Sequence, residues 1–491
     1  MVAHVLVFPF PAQGHLNSML KLAELLYLSG FHITFLTTEY DHHRLCLHSP
    51  AHSRLSRLPG FWFRSISDGL PDQQPRSASR LIELYNSLTH NSSSLFRDFL
   101  NSNLSQSQDA GWSRITCLVV DGVMPFAMDA ATDLGIPTIT FRTSSPCSIW
   151  TYFCLPKLVE AGEYPFPEGA DLDERVYAVS GMESFLRRRD LPSCFREARD
   201  VSDPRLDVVY MVTVSTTRAK GFILNTFEAM DSTVLSHIRT VCPTTYVIGP
   251  LHCMLQNMRS RMLSNTQSGE TSSNSANLWQ EDRSCLPWLD KQPKGSVLYV
   301  SFGSFTVITN EDLMEFWHGL VNSGQRFLWV IRPDLVNGVE DGEGQPTSVP
   351  PELEAGTSER GYLVAWAPQE EVLAHPSIGC FLTHSGWNSS LESAVSGVPM
   401  ICWPFFADQH TTSRFVSEVW KIGLDMKDKH GREIVETIVR DAMEGESAQE
   451  LRRSAAAMAE KARESIAEGG SSYLDFQTLV RYIKSTDQGD G

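Results

Sequence analysis

Residues 366–409 read WAPQEEVLAHPSIGCFLTHSGWNSSLESAVSGVPMICWPFFADQ. The run GCFLT is short, apolar and flanked by polar punctuation, as a buried strand would be. HSGWNSSLESAVSG then turns and takes helical spacing, with Ser385 or Asn388 placed near the cap and Gly397 just past the end. A strand that turns directly into a helix is the repeating unit of an α/β sheet. Such a helix directs unpaired backbone N–H groups outward, and its terminus carries about half a positive charge. A diphosphate can rest there without a phosphate loop or magnesium, with His384, Asn388 and Ser389 as additional donors. Ordinary capping over a core Trp387 fits the same letters when they are taken alone.

Flanking positions add to the pattern. Glu392 lies one turn into the helix, near Ser389, where a carboxylate can accept from vicinal ribose hydroxyls. Trp366 follows a strand and precedes Pro368, so its indole can stack on a nucleobase, an interaction of about 1–3 kcal/mol. Asp408 and Gln409 follow strand Met400–Pro404 and offer a carboxylate and an amide for sugar hydroxyls.

Outside this stretch the same alternation recurs. Val5–Phe8, a helix through Leu16, Met19, Leu20, Ala23 and Leu26, and Ile33–Leu36 form one βαβ unit. Ile115–Val120, Phe126–Leu134 and Ile136–Phe141 form another, and the N-terminal half is expected to be a doubly wound parallel sheet. The pattern restarts at Val297–Val300, with a helix capped near Thr309 and strands at Phe327–Ile331, Tyr362–Ala365, Cys380–Thr383 and Met400–Cys402. Charged helices fill Glu433–Glu444 and Ser447–Glu468. Between Gln256 and Arg283 the chain turns polar and loses periodicity. The expected division is therefore 1–255, a linker at 256–284, a second domain at 285–470, and a terminal helix over 471–491 bracing the first domain.

Length and composition agree. At 491 residues the chain exceeds the roughly 250–300 that one core supports, so two domains are expected. Lys and Arg total 41 against 58 Asp and Glu, a net charge of −17, which excludes a broad nucleic-acid footprint. The N-terminal apolar run is broken by Pro9 and Pro11 and lacks a basic flank, so neither a signal peptide nor a membrane span is expected, and a cytoplasmic location follows. Ten cysteines without CxxC spacing read as reduced packing thiols. Asp41, His42, His43, His48 and His52 form a His-rich patch, but their spacing fits no HExxH or compact tetrahedral site, so no metal is expected. Arg187–Arg189 read as a solvated charge run. Phosphate-loop, GxGxxG and GxSxG signatures are absent, which disfavours kinases, dehydrogenases and serine hydrolases.

In order and length, Trp366, Gln369, His384, Trp387, Asn388, Ser389, Glu392, Asp408 and Gln409 resemble the signature box of plant family-1 UDP-sugar-dependent glycosyltransferases. PAQGHLNSMLKLA, LVVDGVMPFA and PWLDKQPKGSVLYVSFGS extend the likeness over nearly the whole chain. The resemblance implies a GT-B fold: α/β, with two Rossmann-like doubly wound domains facing across a cleft, the acceptor on the first and the UDP-sugar on the second. It implies that Trp366 stacks on uracil with Ala367 and Gln369 beside it, and that Glu392 binds ribose. His384, Asn388, Ser389 and Ser304 would meet the diphosphate. Trp387, Asp408 and Gln409 would hold glucose, with Thr143 reaching its primary hydroxyl. UDP-glucose is then a co-substrate, with no tightly bound cofactor, no metal and a monomeric enzyme expected; the terminal Gln favours glucose over galactose or xylose.

His15 follows the first strand, at the sheet end where reactive groups gather. An imidazole can take the proton from an acceptor hydroxyl as the oxygen attacks the anomeric carbon, a contribution of about 10²–10⁴-fold. Asp121 closes strand Ile115–Val120 and is placed to hold the other ring nitrogen, and the resemblance pairs the same two positions. Inversion by a single displacement follows. FRT at 141–143, WTYF around Trp150 and GMESFLRRRDLPS are similar to iridoid glucosyltransferases acting on 7-deoxyloganetic acid, with Arg142 either facing an acidic acceptor or held in a structural ion pair. A flavonoid or phenolic acceptor is the alternative, and a non-catalytic UDP-sugar binder is a third reading that intact His15 and Asp121 oppose.

Overall fold

The computed structural model describes residues 2–72, 74, 76, 80–105, 114–198, 200–263, 277–336 and 357–486. It divides into two units, one of 1–156, 201–279 and 463–491, the other of 157–200 and 280–462.

In the first unit, β1 (His4–Phe8), β2 (His32–Thr38), β3 (Phe61–Ile66), β4 (Ile115–Asp121), β5 (Thr138–Arg142), β6 (Gly221–Leu224) and β7 (Thr245–Val247) form one parallel sheet of order β3-β2-β1-β4-β5-β6-β7. All five residues of β1 are buried, as expected where helices cover both faces. β5 begins two residues later than the apolar run Ile136–Phe141 because Pro137 cannot donate to the ladder. Its register decides the site: Phe8 pairs with Val120, and Asp121 with Phe141, so the chain leaves β1, β4 and β5 at one sheet end.

The second unit repeats the design with β8 (Val297–Ser301), β9 (Arg326–Val330), β10 (Gly361–Val364), β11 (Ile378–Thr383), β12 (Met400–Cys402) and β13 (Gly423–Asp425), in the order β10-β9-β8-β11-β12-β13. Thr383 is level with Ser301 on one side and Cys402 on the other. Helix Asn310–Asn322 starts on a complete capping box between Thr309 and Asp312.

The boundaries differ from those expected from sequence. Helix Leu251–Leu263 runs into the stretch read as linker, because Leu251, Met254, Leu255 and Met258 form a helical stripe that joins the first core. Leu278 is buried in that core as well, and residues 264–276 lie outside the described ones. Residues 157–200 group with the second unit rather than the first, because the fully buried Asp190 carboxylate is ringed by Lys427 at 2.9 Å, Arg187 at 3.0 Å and Arg414 at 3.3 Å. Arg187 and Arg189 also pair with Asp173, and Arg189 with Asp428, so the run read as solvated is an ion-pair network. The terminal helix Ser471–Ser485 buries Phe476, Leu479, Val480 and Ile483 in the first core, and Asp475 accepts the Val247 N–H at 2.9 Å. None of the ten cysteines, all among the described residues, is in a disulfide. No described helix is long and apolar enough to cross a membrane.

Candidate active site

Helix Gln13–Leu28 begins five residues after β1, and its first turn carries His15. The imidazole Nδ1 lies 2.6 Å from Asp121 Oδ2 and 2.9 Å from Thr143 Oγ1. A carboxylate only accepts, so Nδ1 carries the proton and Nε2 keeps its lone pair. Asp121 is fully buried and also accepts backbone N–H groups from Phe10 at 3.3 Å and Val123 at 3.2 Å, whereas His15 remains 27% exposed. One end of the pair is locked and the other is open to solvent. Thr143, expected to reach a sugar, also lies against His15, a contact that its place one residue beyond β5 did not reveal.

In the second unit, β11 turns through Ser385 (φ +64°) into helix Trp387–Ser396. Neither Ser385 nor Asn388 caps this helix. Its N-cap is Gly386, with no side-chain cap bond, because the left-handed turn buries Ser385 completely. The N-cap residue therefore offers the first turn no side-chain acceptor, while Gly397 (φ +71°) closes the other end as expected. The ring of His384 sits between two glycines: a Cβ on Gly303 or on Gly386 would collide with Nε2. Burial, reinforced by the charge of Arg332, lowers this imidazole to about 4, so it is neutral at physiological pH. Its Nδ1 has no hydrogen-bond partner among the described residues.

Arg332, which the sequence reading did not single out, is buried and donates to the carbonyls of Gly303 and, at 2.8 Å, Thr306, holding the loop that carries Ser304 against His384. Its only sequence signal is a charged residue directly after the apolar run Phe327–Ile331.

Gln369 opens a short helix after half-exposed Trp366 and buried Ala367. Its amide nitrogen donates to Ser389 Oγ at 2.9 Å and Glu392 Oε2 at 2.8 Å, and its Oε1 accepts from the Tyr299 hydroxyl at 3.3 Å. Ser389, Gln369 and Glu392 thus form one connected group. Gln409 is buried, and its Oε1 accepts the N–H groups of Phe405 at 2.8 Å and Phe406 at 3.1 Å. Asp408 is half-buried at the N-cap of helix Gln409–Arg414. Asn388 is half-buried, but the Trp387 indole is buried with its ring 6.0 Å from that of Trp420, so its backbone N–H is the part a ligand can meet.

The two acceptor candidates are interior residues. Arg142 is buried with its Cδ over Gly122, where a Cβ would collide with it. Trp150 is buried and stacks on His237 at 5.1 Å, packing helix Pro146–Phe153 on helix Glu228–Val241.

Two doubly wound units, one ending in an oriented imidazole and the other in a helix without a side-chain cap beside the Glu392 carboxylate, fit the nucleotide-sugar-dependent transferases. A family model for UDP-glucoronosyl and UDP-glucosyl transferase matches residues 234–452. A 7-deoxyloganetic acid glucosyltransferase of Catharanthus roseus is 52% identical over 485 residues, 99% of this chain and 98% of that one. A myricetin 3-O-rhamnoside 1,2-glucosyltransferase of Crocosmia x crocosmiiflora is 48% identical over 98% of this chain and 96% of its own. The crystal structure of Os79 from O. sativa in complex with UDP matches with a TM-score of 0.78 and 29% identity, covering 98% of this chain and all of that one. The chain belongs to the UDP-glycosyltransferase family and is a glycosyltransferase of GT-B fold.

Proposed function

We propose that this enzyme transfers glucose from UDP-glucose, with inversion, to a hydroxyl or carboxyl of an iridoid or monoterpenoid acid. The observation that carries the reading is the 2.6 Å bond from His15 Nδ1 to Asp121, which supports Nε2 as the base. In the proposed step Nε2 takes the acceptor O–H proton while that oxygen bonds to the anomeric carbon, and the bond from that carbon to the diphosphate oxygen breaks, UDP leaving with the electron pair. Asp121 stabilises the imidazolium so formed. No covalent glucosyl intermediate arises.

On the donor side, Trp366 stacks on uracil with Ala367 and Gln369 beside it, and Glu392 takes the ribose hydroxyls. The N–H groups of helix Trp387–Ser396, His384, Asn388, Ser389 and Ser304 receive the diphosphate. The unpartnered His384 Nδ1 supports this assignment, as does the absence of a side-chain cap. Asp408, the Gln409 amide and the Trp387 N–H meet the glucose. Thr143 is placed here as a partner of His15 first and of the sugar second. None of these roles needs a metal. Arg142 and Trp150 shape the acceptor side from behind rather than touching it, given their burial.

The acceptor class rests on the relative named for 7-deoxyloganetic acid; the relative named for a flavonoid rhamnoside supports a phenolic acceptor as the second reading. Mass spectrometry of an acceptor panel with UDP-glucose tests both. Hexosylated iridoid acids are expected, and a product only from flavonoids would replace the first reading with the second. His15→Ala should cut turnover of an alcohol acceptor by about 10²–10⁴-fold yet spare an already ionised carboxylate acceptor. Equal loss on both classes would remove His15 as the base.

A further inference from the structure

We propose that His42, Cys46 and His52 form a binding site for a zinc-class cation, with three protein ligands and a fourth position left to solvent. The site lies in the first unit and belongs to no part of the transfer chemistry. His42 and Cys46 stand one turn apart on helix Glu39–His48, and four-residue spacing puts their side chains on one face. His52 comes from the next helix, Pro50–Leu55, which starts where Ser49 Oγ accepts the His52 N–H at 3.1 Å. The His52 ring is held against Phe63 at 4.3 Å between centroids. The hairpin of two capped helices thus fixes all three ligands before any ion arrives.

The distances suit zinc. Cys46 Sγ lies 3.8 Å from His42 Nε2 and 3.6 Å from His52 Nε2, and all three ligand atoms fall within 4.8 Å of one another. With Zn–S near about 2.3 Å and Zn–N about 2.0–2.1 Å, the S···N edge of a tetrahedron is about 3.6 Å. A thiolate with two imidazoles selects zinc, cobalt or copper over magnesium and calcium.

Zinc takes imidazole as the neutral ring and sulfur as the thiolate, so cation binding releases one proton from Cys46. The nearby Arg64 charge opposes a cation and sets the affinity below that of a closed four-ligand site. Cys46 is exposed, which supplies the route of entry. Sequence spacing concealed the site because the patch was read as histidines and an aspartate, with the cysteine left out.

The test uses the full-length, reduced, chelator-stripped enzyme titrated with Co²⁺ and then Zn²⁺. One equivalent of Co²⁺ should give thiolate-to-cobalt absorption in the near ultraviolet, which Zn²⁺ abolishes. Cys46→Ser should remove the band, His42→Gln and His52→Gln should weaken binding at least about tenfold, and Cys253→Ser should change nothing. In parallel, Zn²⁺ should slow maleimide labelling of Cys46 by about tenfold or more, read by peptide mass spectrometry, and raise the melting temperature of the parent but not of Cys46→Ser. Absence of the band, its survival in Cys46→Ser, or labelling unaffected by Zn²⁺ would overturn the assignment.

Discussion

At the carboxyl end of the first sheet, β1, β4 and β5 deliver three side chains, His15, Asp121 and Thr143, to one hydrogen-bonded group. At the same end of the second sheet, β8 and β11 deliver mostly backbone: a helix terminus without a side-chain cap, two glycines against an imidazole, and a loop whose carbonyls Arg332 holds. In the proposed function the same strand order therefore serves opposite electrostatic tasks. Moving a proton needs a titratable side chain with a fixed tautomer, whereas holding a diphosphate needs many fixed dipoles and gains little from a group that changes charge. His15 is kept partly exposed, and His384 is half-buried and held neutral.

That contrast can be broken most severely on the proton side. Asp121→Asn can present an amide N–H to Nδ1, hold the wrong tautomer and remove the charge facing the imidazolium, so turnover should fall by about 10²–10⁴-fold. UDP affinity by calorimetry should stay unchanged, and a parallel loss of UDP binding would sink the separation of roles.

Gly386→Ala attacks the other side. Its φ of −62° tolerates any residue, so the only conflict is the new Cβ against His384 Nε2. Displacing one charge-assisted hydrogen bond costs about 1.5–3 kcal/mol, so the UDP dissociation constant should rise roughly 10–100-fold. The melting temperature separates this effect from misfolding. Glu392→Gln should cost less, about 1 kcal/mol or roughly fivefold in UDP binding, because the amide still reaches ribose but loses its charge and its pairing with Gln369. Uracil-free diphosphate compounds lacking ribose should not notice the change.

The smallest effects are those of pH. Because desolvation lowers His384 to about 4, UDP affinity between about pH 5.5 and 8 should not show an imidazole titration, and a step attributable to His384 across that range, lost in His384→Ala, would contradict its neutral state. Stability should respond instead. His52 and His384 at about 4 and His410 at about 3 bind protons less readily folded than unfolded, so stability is present above about pH 6.5 and declines as pH falls towards the folded values. Asp41, raised to about 6 by burial, works in the opposite direction, but as one group against three. Urea midpoints measured between about pH 6.5 and 4.5 should therefore fall with acidity.

How much of this was legible before the structure varied with the kind of interaction. The alternation of apolar runs and helical stripes was readable because burial on both faces of a parallel sheet demands continuous apolar strands, as in HVLVF of β1. The signature from Trp366 to Gln409 was readable because its residues fall close together in the chain, at the turns and helix starts around β11 and β12. Helix Leu251–Leu263 was hidden by a polar surround, although its stripe was present.

Sequence alone singled out the residues proposed to carry the chemistry: the imidazole after β1, the carboxylate closing β4, and the donor set clustered around His384. Tertiary structure alone decided how they are arranged. Thr143 reaches His15 across 128 positions of chain, Arg332 clamps Gly303 from another strand, and Asp190 draws residues 157–200 to the second unit. The reason is physical: periodicity and capping act within a few residues and leave a mark in local sequence, whereas the burial of a charge or the lock on a tautomer is settled by partners that only the sheet register brings together.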